Sequence, residues 1–245
     1  MISNSSLDVF NKSRESYVNE SPYPHIVIDD FLSIDVLHPI QKEAYEVCDN
    51  PNDIWRFGGA RFKGDAHDFQ QKKRAIGILE NLPTNTRNLV TYLNSDGFID
   101  KLSKLTGKVG LVSDPSLIGG GLHETRPGGY LGIHHDFNLL EMNGESYYRQ
   151  INLLLYINPH WDNEWGGSLE LWNSDMSGAE RVVDIKSNRC VIFNIDGAPH
   201  GHPSELKSPN DISRRSIAMY YYSKEEPKFS KIKRAHWEPE LKQMF

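Results

Sequence analysis

The sequence predicts an α+β protein, mainly β, in which helices come first and a sandwich or jelly roll of short strands follows. Two observations carry this. Up to Gly107, apolar residues recur at helical spacing. After Gly110, strand-like runs follow one another, divided by Gly and Pro clusters. No internal repeat and no linker divides the chain. Residues 21–245 therefore read as one domain behind a polar, flexible start at residues 1–20.

Each element has its own signal. Residues 1–20 are rich in Ser, Asn and Glu. Pro24 to Leu32 is a β-branched run and predicts a strand. Ser33 or Asp35 then caps a helix with Leu37, Ile40, Ala44 and Val47 on one face, provided Pro39 falls near its first turn. Residues 51–80 are mixed and predict no element. Pro83 opens a helix carrying Leu89, Val90 and Leu93. Ser95 caps another, with Phe98, Ile99, Leu102 and Leu105 apolar and Gly107 at its end. Strands are expected at 116–125, 129–136, 150–157, 168–172, 181–185, 189–195 and 214–222.

Composition narrows the function classes. The chain has 245 residues, 38% hydrophobic and 24% charged, which suits a soluble globular protein with a large core. A net charge of −6 argues against a broad nucleic-acid surface. The basic stretch from Lys224 to Arg234 contains Glu225 and Glu226 and reads as a solvated face. Cys48 and Cys190 are far apart and form no Cys-x-x-Cys pair, so neither a zinc–thiolate site nor a disulfide framework is expected. Cys190 sits in an apolar run and reads as a buried thiol. Met1 to Tyr17 lacks the apolar segment of a signal peptide, and no run has the length of a membrane span, so a cytoplasmic location and no membrane partner are expected.

The chemistry centres on Gly129 to Asn138, which contains His134-His135-Asp136. Strand alternation turns His134 and Asp136 to one face and His135 to the other. An imidazole and a carboxylate side by side are two of the three ligands in a facial triad for non-haem iron(II). A second His-x-Asp, His160-Trp161-Asp162, follows Asn158-Pro159 just past a strand, where alternation need not hold, so His134/Asp136 is preferred. The third ligand is sought in His200-Gly201-His202, after the apolar strand Cys190 to Phe193. The residues alone leave His200 and His202 open. In Arg214 to Tyr222, alternation puts Arg214, Ser216, Ala218 and Tyr220 on one face and Arg215, Ile217, Met219 and Tyr221 on the other. A guanidinium beside a hydroxyl on an otherwise apolar strand suits a dicarboxylate, which it grips through two parallel hydrogen bonds.

The order His134-x-Asp136, His200, Arg214-x-Ser216 resembles the iron(II)/2-oxoglutarate dioxygenase superfamily, and within it the prolyl-4-hydroxylase-like branch. Gly129 to Asp136, Arg149 to Trp161 with Gly166-Gly167-Ser168-Leu169, and His200 to Tyr222 carry the resemblance, which covers about residues 110–225. It implies a double-stranded β-helix (jelly roll) with N-terminal helices packed outside. It also implies iron ligation by His134, Asp136 and His200. Arg214 would hold the distal carboxylate of 2-oxoglutarate with Tyr156 donating its hydroxyl, and Asn152 and Ser216 would lie nearby. Arg215 remains an alternative to Arg214. Where the branch often has an upstream tyrosine, this sequence reads Thr125-Arg126.

The implied activity is hydroxylation of an unactivated C–H bond using Fe(II), 2-oxoglutarate and O2, with release of succinate and CO2 and with ascorbate as reductant in assays. The implied substrate is a prolyl or other amino-acid residue in a peptide or small metabolite. Arg149, Trp161, Trp165 and Trp172 are candidates for the mouth of the site. Two rival expectations are a non-catalytic jelly-roll binding protein and a cupin-like metalloenzyme that does not use 2-oxoglutarate.

Overall fold

The computed structural model describes residues 1–48, 55–57 and 70–231. Most of the mixed stretch 51–80, and the basic stretch beyond Lys231, lie outside the described residues. The chain opens with two short helices, α1 (Asn4–Lys12) and α2 (Arg14–Asn19), where the sequence leads one to expect a flexible start. Their composition is polar, but Phe10 and Tyr17 are buried, and those two rings anchor the segment. Strand β1 (His25–Ile28) follows, then helix α3 (Ile34–Cys48). Pro39 lies inside α3 rather than at its start, and the helix persists because Leu37, Ile40 and Ala44 are all buried. Helices α4 (Thr84–Leu93) and α5 (Asp96–Thr106) match their sequence signals, with Gly107 in the left-handed conformation that ends α5. Ser95 sits at the N-cap of α5, but its hydroxyl bonds back to Tyr92 O instead of capping.

The remaining strands are β2 (Arg56–Phe57), β3 (Gln70–Ile76), β4 (Val112–Ser113), β5 (Gly121–His134), β6 (Leu139–Met142), β7 (Glu145–Tyr156), β8 (Leu169–Trp172), β9 (Ala179–Val183), β10 (Cys190–Asn194), β11 (His200–His202) and β12 (Arg214–Ser223). They pair in the order β1-β10-β7-β12-β5-β11-β8-β9, with β3 also on β5, β6 on β7 and β4 on β12. All the pairings are antiparallel, and the sheet curls into a nearly closed jelly roll.

β5 turns the corner. Its first half pairs with β12, Thr125 opposite Arg214, while its last residue, His134, pairs with His200 on β11. The sequence predicts two strands here, 116–125 and 129–136, divided at Arg126-Pro127-Gly128. The backbone instead runs through as one strand, because β3 pairs with both halves and bridges the break.

The core has two compartments. Leu153, Leu155, Ile217, Met219 and Tyr221 pack outward against the buried faces of α1, α3, α4 and α5. Tyr156, Leu169, Leu171, Val183, Val191 and Phe193 fill the interior of the roll. Strands β7, β10 and β12 are thus covered on both faces, which is why they read as unbroken apolar runs.

Candidate metal centre

One cavity opens inside the roll. It is lined by Lys73, His123, His134, Asp136, Arg149, Asn152, His200, His202, Arg214 and Ser216, together with Leu131, Leu154, Leu169, Gly201 and Tyr220. These residues come from β3, β5, β7, β8, β11 and β12 and from the turn after β5, so the whole roll contributes.

His134, Asp136 and His200 form the cluster, with one ligand atom from each lying within 4.8 Å of the others. The Nε2 atoms of His134 and His200 are each 3.4 Å from a different oxygen of Asp136. Both Nδ1 atoms face carbonyl oxygens, His134 to Gly132 O at 2.9 Å and His200 to Ala198 O at 3.0 Å. A carbonyl can only accept, so each Nδ1 carries the proton and each Nε2 presents a lone pair. Burial pushes the His200 imidazole down to about 4, so it is neutral at physiological pH. Two lone pairs and a carboxylate converging on one point repel one another unless a cation sits among them. The donor set therefore fits a metal ion, and two histidines with one carboxylate are the composition of the iron(II) facial triad.

The backbone explains why these residues meet. β11 lies so close to β5 that a Cβ on Gly201 would come within 2.6 Å of Gly132 O. Tyr23 donates to Pro199 O at 2.9 Å, and the Phe193 ring stands edge-on to His200 at 4.8 Å, which together fix the approach to β11.

Asp136 lies past the end of β5 and is held by side chains. Arg149 Nη2 is 2.9 Å from its Oδ2, and Asn152 Nδ2 donates to the same oxygen at 2.8 Å. Burial opposes ionisation of this carboxyl, but Arg149, His200 and His134 outweigh it and hold it well below the usual carboxylate range. Strict alternation would put Arg149 and Asn152 on opposite faces of β7. The register shift opposite Tyr221 and Tyr222 rotates Arg149 inward, and it also donates Nε–H to Asn152 Oδ1 at 2.7 Å. Arg149 thus lies inside the site, 1% exposed, rather than at its mouth.

The second half of the cavity is cationic. Arg214 donates Nε–H to Gly167 O at 2.9 Å and lies 3.2 Å from the Tyr156 hydroxyl. Gly167 needs its positive φ of 80°, and a Cβ there would meet Leu206 at 2.6 Å. Arg215 faces the other way, with Nη2 3.5 Å from Glu124 and its guanidinium over the Tyr45 ring. Ser216 lines the cavity, while Tyr156 is fully buried beside it. Several polar atoms there lack partners: both ring nitrogens of His202 and Nε2 of His123. Burial drives both of these histidines well below their ordinary value, so both are neutral. A guanidinium, hydroxyls and unpartnered imidazole nitrogens around one space fit a polar, anionic ligand, and 2-oxoglutarate is one.

The structure brings together all seven sequence-selected residues: His134, Asp136, His200, Arg214, Ser216, Asn152 and Tyr156. His202 also borders the cavity but stands outside the cluster of three. His160-Trp161-Asp162 lies elsewhere. Asp162 caps a short 3-10 turn, Trp161 donates to Gly166 O, and His160 meets Trp165 edge to face. Trp161 and Trp165 pack on each other, and Trp172 donates to Glu170. None of the three tryptophans borders the cavity. Sequence reasoning missed Lys73 and His123. Lys73 lies on β3, whose polar run gave no strand signal. His123 had one available signal, since it is two residues from Thr125 on the same strand face.

Residues 120–222 match the model of the 2OG-Fe(II) oxygenase superfamily. Over 79 residues the chain is 32% identical to prolyl 3-hydroxylase OGFOD1 of Mus musculus, a stretch that is 30% of this chain and 14% of that protein. Among solved structures, it superposes on a prolyl hydroxylase of Trichoplax adhaerens in complex with a hypoxia inducible factor peptide fragment, with a TM-score of 0.59 at 15% identity. That superposition covers 93% of this chain and 92% of the other. A Pseudomonas putida prolyl-4-hydroxylase gives 0.58 at 15% identity over 88% and 100%. HygX of Streptomyces hygroscopicus, with nickel, 2-oxoglutarate and hygromycin B bound, gives 0.56 at 13% identity over 87% of each chain. At these identities the structural likeness is one of fold.

Proposed function

We propose that this chain, whose residues 120–222 match the 2OG-Fe(II) oxygenase superfamily, is an iron(II)/2-oxoglutarate-dependent oxygenase that hydroxylates an unactivated C–H bond. The observation that carries the reading is a cluster of two histidines and a carboxylate facing one cavity with the Arg214 guanidinium. When bound, iron with 2-oxoglutarate and O2 supplies the oxidative chemistry, converting substrate C–H, 2-oxoglutarate and O2 to C–OH, succinate and CO2.

The chain's own residues do the holding and orienting. His134 and His200 offer Nε2 because Gly132 and Ala198 carbonyls fix the Nδ1–H tautomer. Arg149 and Asn152 engage Oδ2 of Asp136, the oxygen on the His200 side, which leaves Oδ1 facing His134. Arg214 and the Tyr156 hydroxyl would take the distal carboxylate of 2-oxoglutarate, with Ser216 beside them. Burial of the lining excludes water and strengthens these electrostatic contacts.

For the substrate we favour a prolyl or other amino-acid residue in a peptide, with a small metabolite as the second choice. Three of the relatives are prolyl hydroxylases, and HygX holds hygromycin B beside 2-oxoglutarate. We place the chain in the cytoplasm as part of the same reading, and a tagged chain located by microscopy tests that.

The deciding experiment is succinate release with iron(II) and ascorbate across proline-containing peptides, free amino acids and small metabolites. A substrate-dependent rise in succinate, with product heavier by one oxygen, is expected. Binding of neither iron nor 2-oxoglutarate would leave a non-catalytic roll. Iron binding without 2-oxoglutarate binding would leave a cupin-like metalloenzyme.

A further inference from the structure

Strands β3, β5 and β12 lie side by side, and their register sets two rows of charge back to back. Arg74, Glu124 and Arg215 are partners across the three strands. All three are buried on the outer face. Glu124 pairs with Arg74 and lies 3.5 Å from Arg215, so the acid sits between the cations it neutralises. One residue away along each strand, Lys73, Thr125 and Arg214 are partners in the same way. A step of one residue turns this row to the opposite face, into the cavity.

The inner row has threonine where the outer row has glutamate. Its two cations therefore face one space with no acid between them. Arg214 touches only neutral groups, Gly167 O and the Tyr156 hydroxyl. Among the described residues, no hydrogen bond or ion pair reaches the Lys73 ammonium. Among the described residues, the cavity lining has one carboxylate, Asp136, and Arg149 already engages it. His123 and His202 are neutral, so the described lining carries Lys73, Arg149 and Arg214 against Asp136.

The position of Lys73 is a built one. Lys72 adopts a positive φ of 50°, and the pairing of β3 with β5 shifts register between Gln71 and Lys73. A bulge of this kind re-aims the next side chain. The backbones of Lys73 and Arg214 stand two strand spacings apart, about 10 Å, with Thr125 between them. Burial, and then Arg214, push the Lys73 ammonium down to about 8. Such a cation gains from an anion beyond those the described residues provide.

We propose that Lys73 is the second cation of the co-substrate pocket, bracketing the 2-oxoglutarate dianion together with Arg214 and making the pocket select 2-oxo dicarboxylates over 2-oxo monocarboxylates. This rests on the co-substrate reading above. Arg214 supplies the planar fork and Lys73 the point charge. A monocarboxylate leaves one of the two cations buried and unpaired, which is a penalty on the wrong ligand rather than a reward for the right one.

The test is an anaerobic titration of the iron(II)-loaded full chain with 2-oxoglutarate and with 2-oxobutyrate, read by calorimetry and by the visible charge-transfer band. The parent, Lys73→Gln, Lys73→Met and Lys73→Arg are compared, with iron affinity measured separately. Lys73→Gln and Lys73→Met are expected to weaken 2-oxoglutarate binding more than tenfold and to change 2-oxobutyrate binding little. Lys73→Arg should retain most of the preference, and iron affinity should stay at the parent level. Should one neutral variant fail to fold, the other carries the same comparison. Unchanged 2-oxoglutarate affinity in the neutral variants would overturn the proposal while leaving the co-substrate reading intact. Equal loss of both oxo acids would also overturn it, since that marks a structural lysine. A parent that binds iron but not 2-oxoglutarate would sink the co-substrate reading and this inference with it.

Discussion

At the residue scale, the pair His200 and His202 separates ligation from lining. Both border the cavity, but only His200 has a ring nitrogen 3.4 Å from Asp136 and a carbonyl fixing its tautomer. His200→Ala should abolish tight iron(II) binding, and His202→Ala should leave it within a few-fold of the parent, as measured by metal titration. The reverse pattern would transfer the role to His202. Lys73 makes a second prediction through its effect on stability. Its folded value of about 8 lies below its ordinary value of 10.5, so the unfolded chain binds its proton more tightly. Stability must then rise with pH between those values, and the penalty is fully present below about 8. The groups facing the ammonium across the cavity are Arg214, Arg149, Asp136, His123 and His202. Lys73→Met should raise the melting temperature of the metal-free protein at pH 7, and the gain should shrink toward pH 10. A gain independent of pH would mean that the cost lies in packing instead. Strand alternation alone made His134, Asp136, Arg214 and Ser216 visible in the sequence. It could not reveal Arg149, because a bulge decides which way that side chain turns. It could not reveal Lys73 either, because Gln70 to Arg74 is uniformly polar and has no alternation to read.

At the element scale, the sheet β3-β5-β12 carries opposite chemistry on its two faces. On the outer face Glu124, 2% exposed, pairs with Arg74 and Arg215, and with the more exposed Arg126 at 3.4 Å. Glu124→Ala would remove the acid that two buried guanidiniums share in the layer between sheet and helices. A loss of about 3–5 kcal/mol is expected in urea unfolding, because an uncompensated buried charge costs far more than the pair contributes. Arg74 rests on the Trp55 ring at 4.0 Å and Arg215 on Tyr45 at 4.1 Å, so part of each cation keeps a partner. A loss below about 1 kcal/mol would mean that those rings suffice. The strands with two covered faces were evident from their apolar runs, and β10 and β12 fall close to their expected bounds. β3 was not, because its place depends on pairing with β5 far along the chain and not on its own residues.

At the scale of the whole molecule, the helical layer is part of the fold's stability. Phe10 packs between Phe31, at a ring distance of 6.4 Å, and Phe98, at 5.6 Å, and so fastens the first helix to α5 and to the segment after β1. Phe10→Ala should cost about 3–5 kcal/mol in the same unfolding measurement. A cost near zero would mean that the first nineteen residues are an ornament on an independent roll. The order helices-then-strands and a roll or sandwich of strands were legible in the change of apolar period, and the choice of jelly roll came from the family resemblance. The helical start was not, since two buried rings in an otherwise polar stretch outweigh its composition.

The corner-turning strand β5 also sets how such a molecule can change by insertion and deletion. It behaves as a ruler with two marks, Thr125 in the row with Lys73 and Arg214 at one end and His134 at the other. The marks are nine residues apart, an odd spacing, so both face inward only because the pairing with β3 is irregular between them, and an added residue there would turn His134 away while the first mark stayed in place. Two added residues restore the facing but displace the second mark by about 7 Å along the strand. By contrast, the turn at Asn143-Gly144 joins β6 to β7 at the surface and bears on neither mark. Length variation among descendants of this chain should therefore collect at that turn and be absent from the interval between Thr125 and His134.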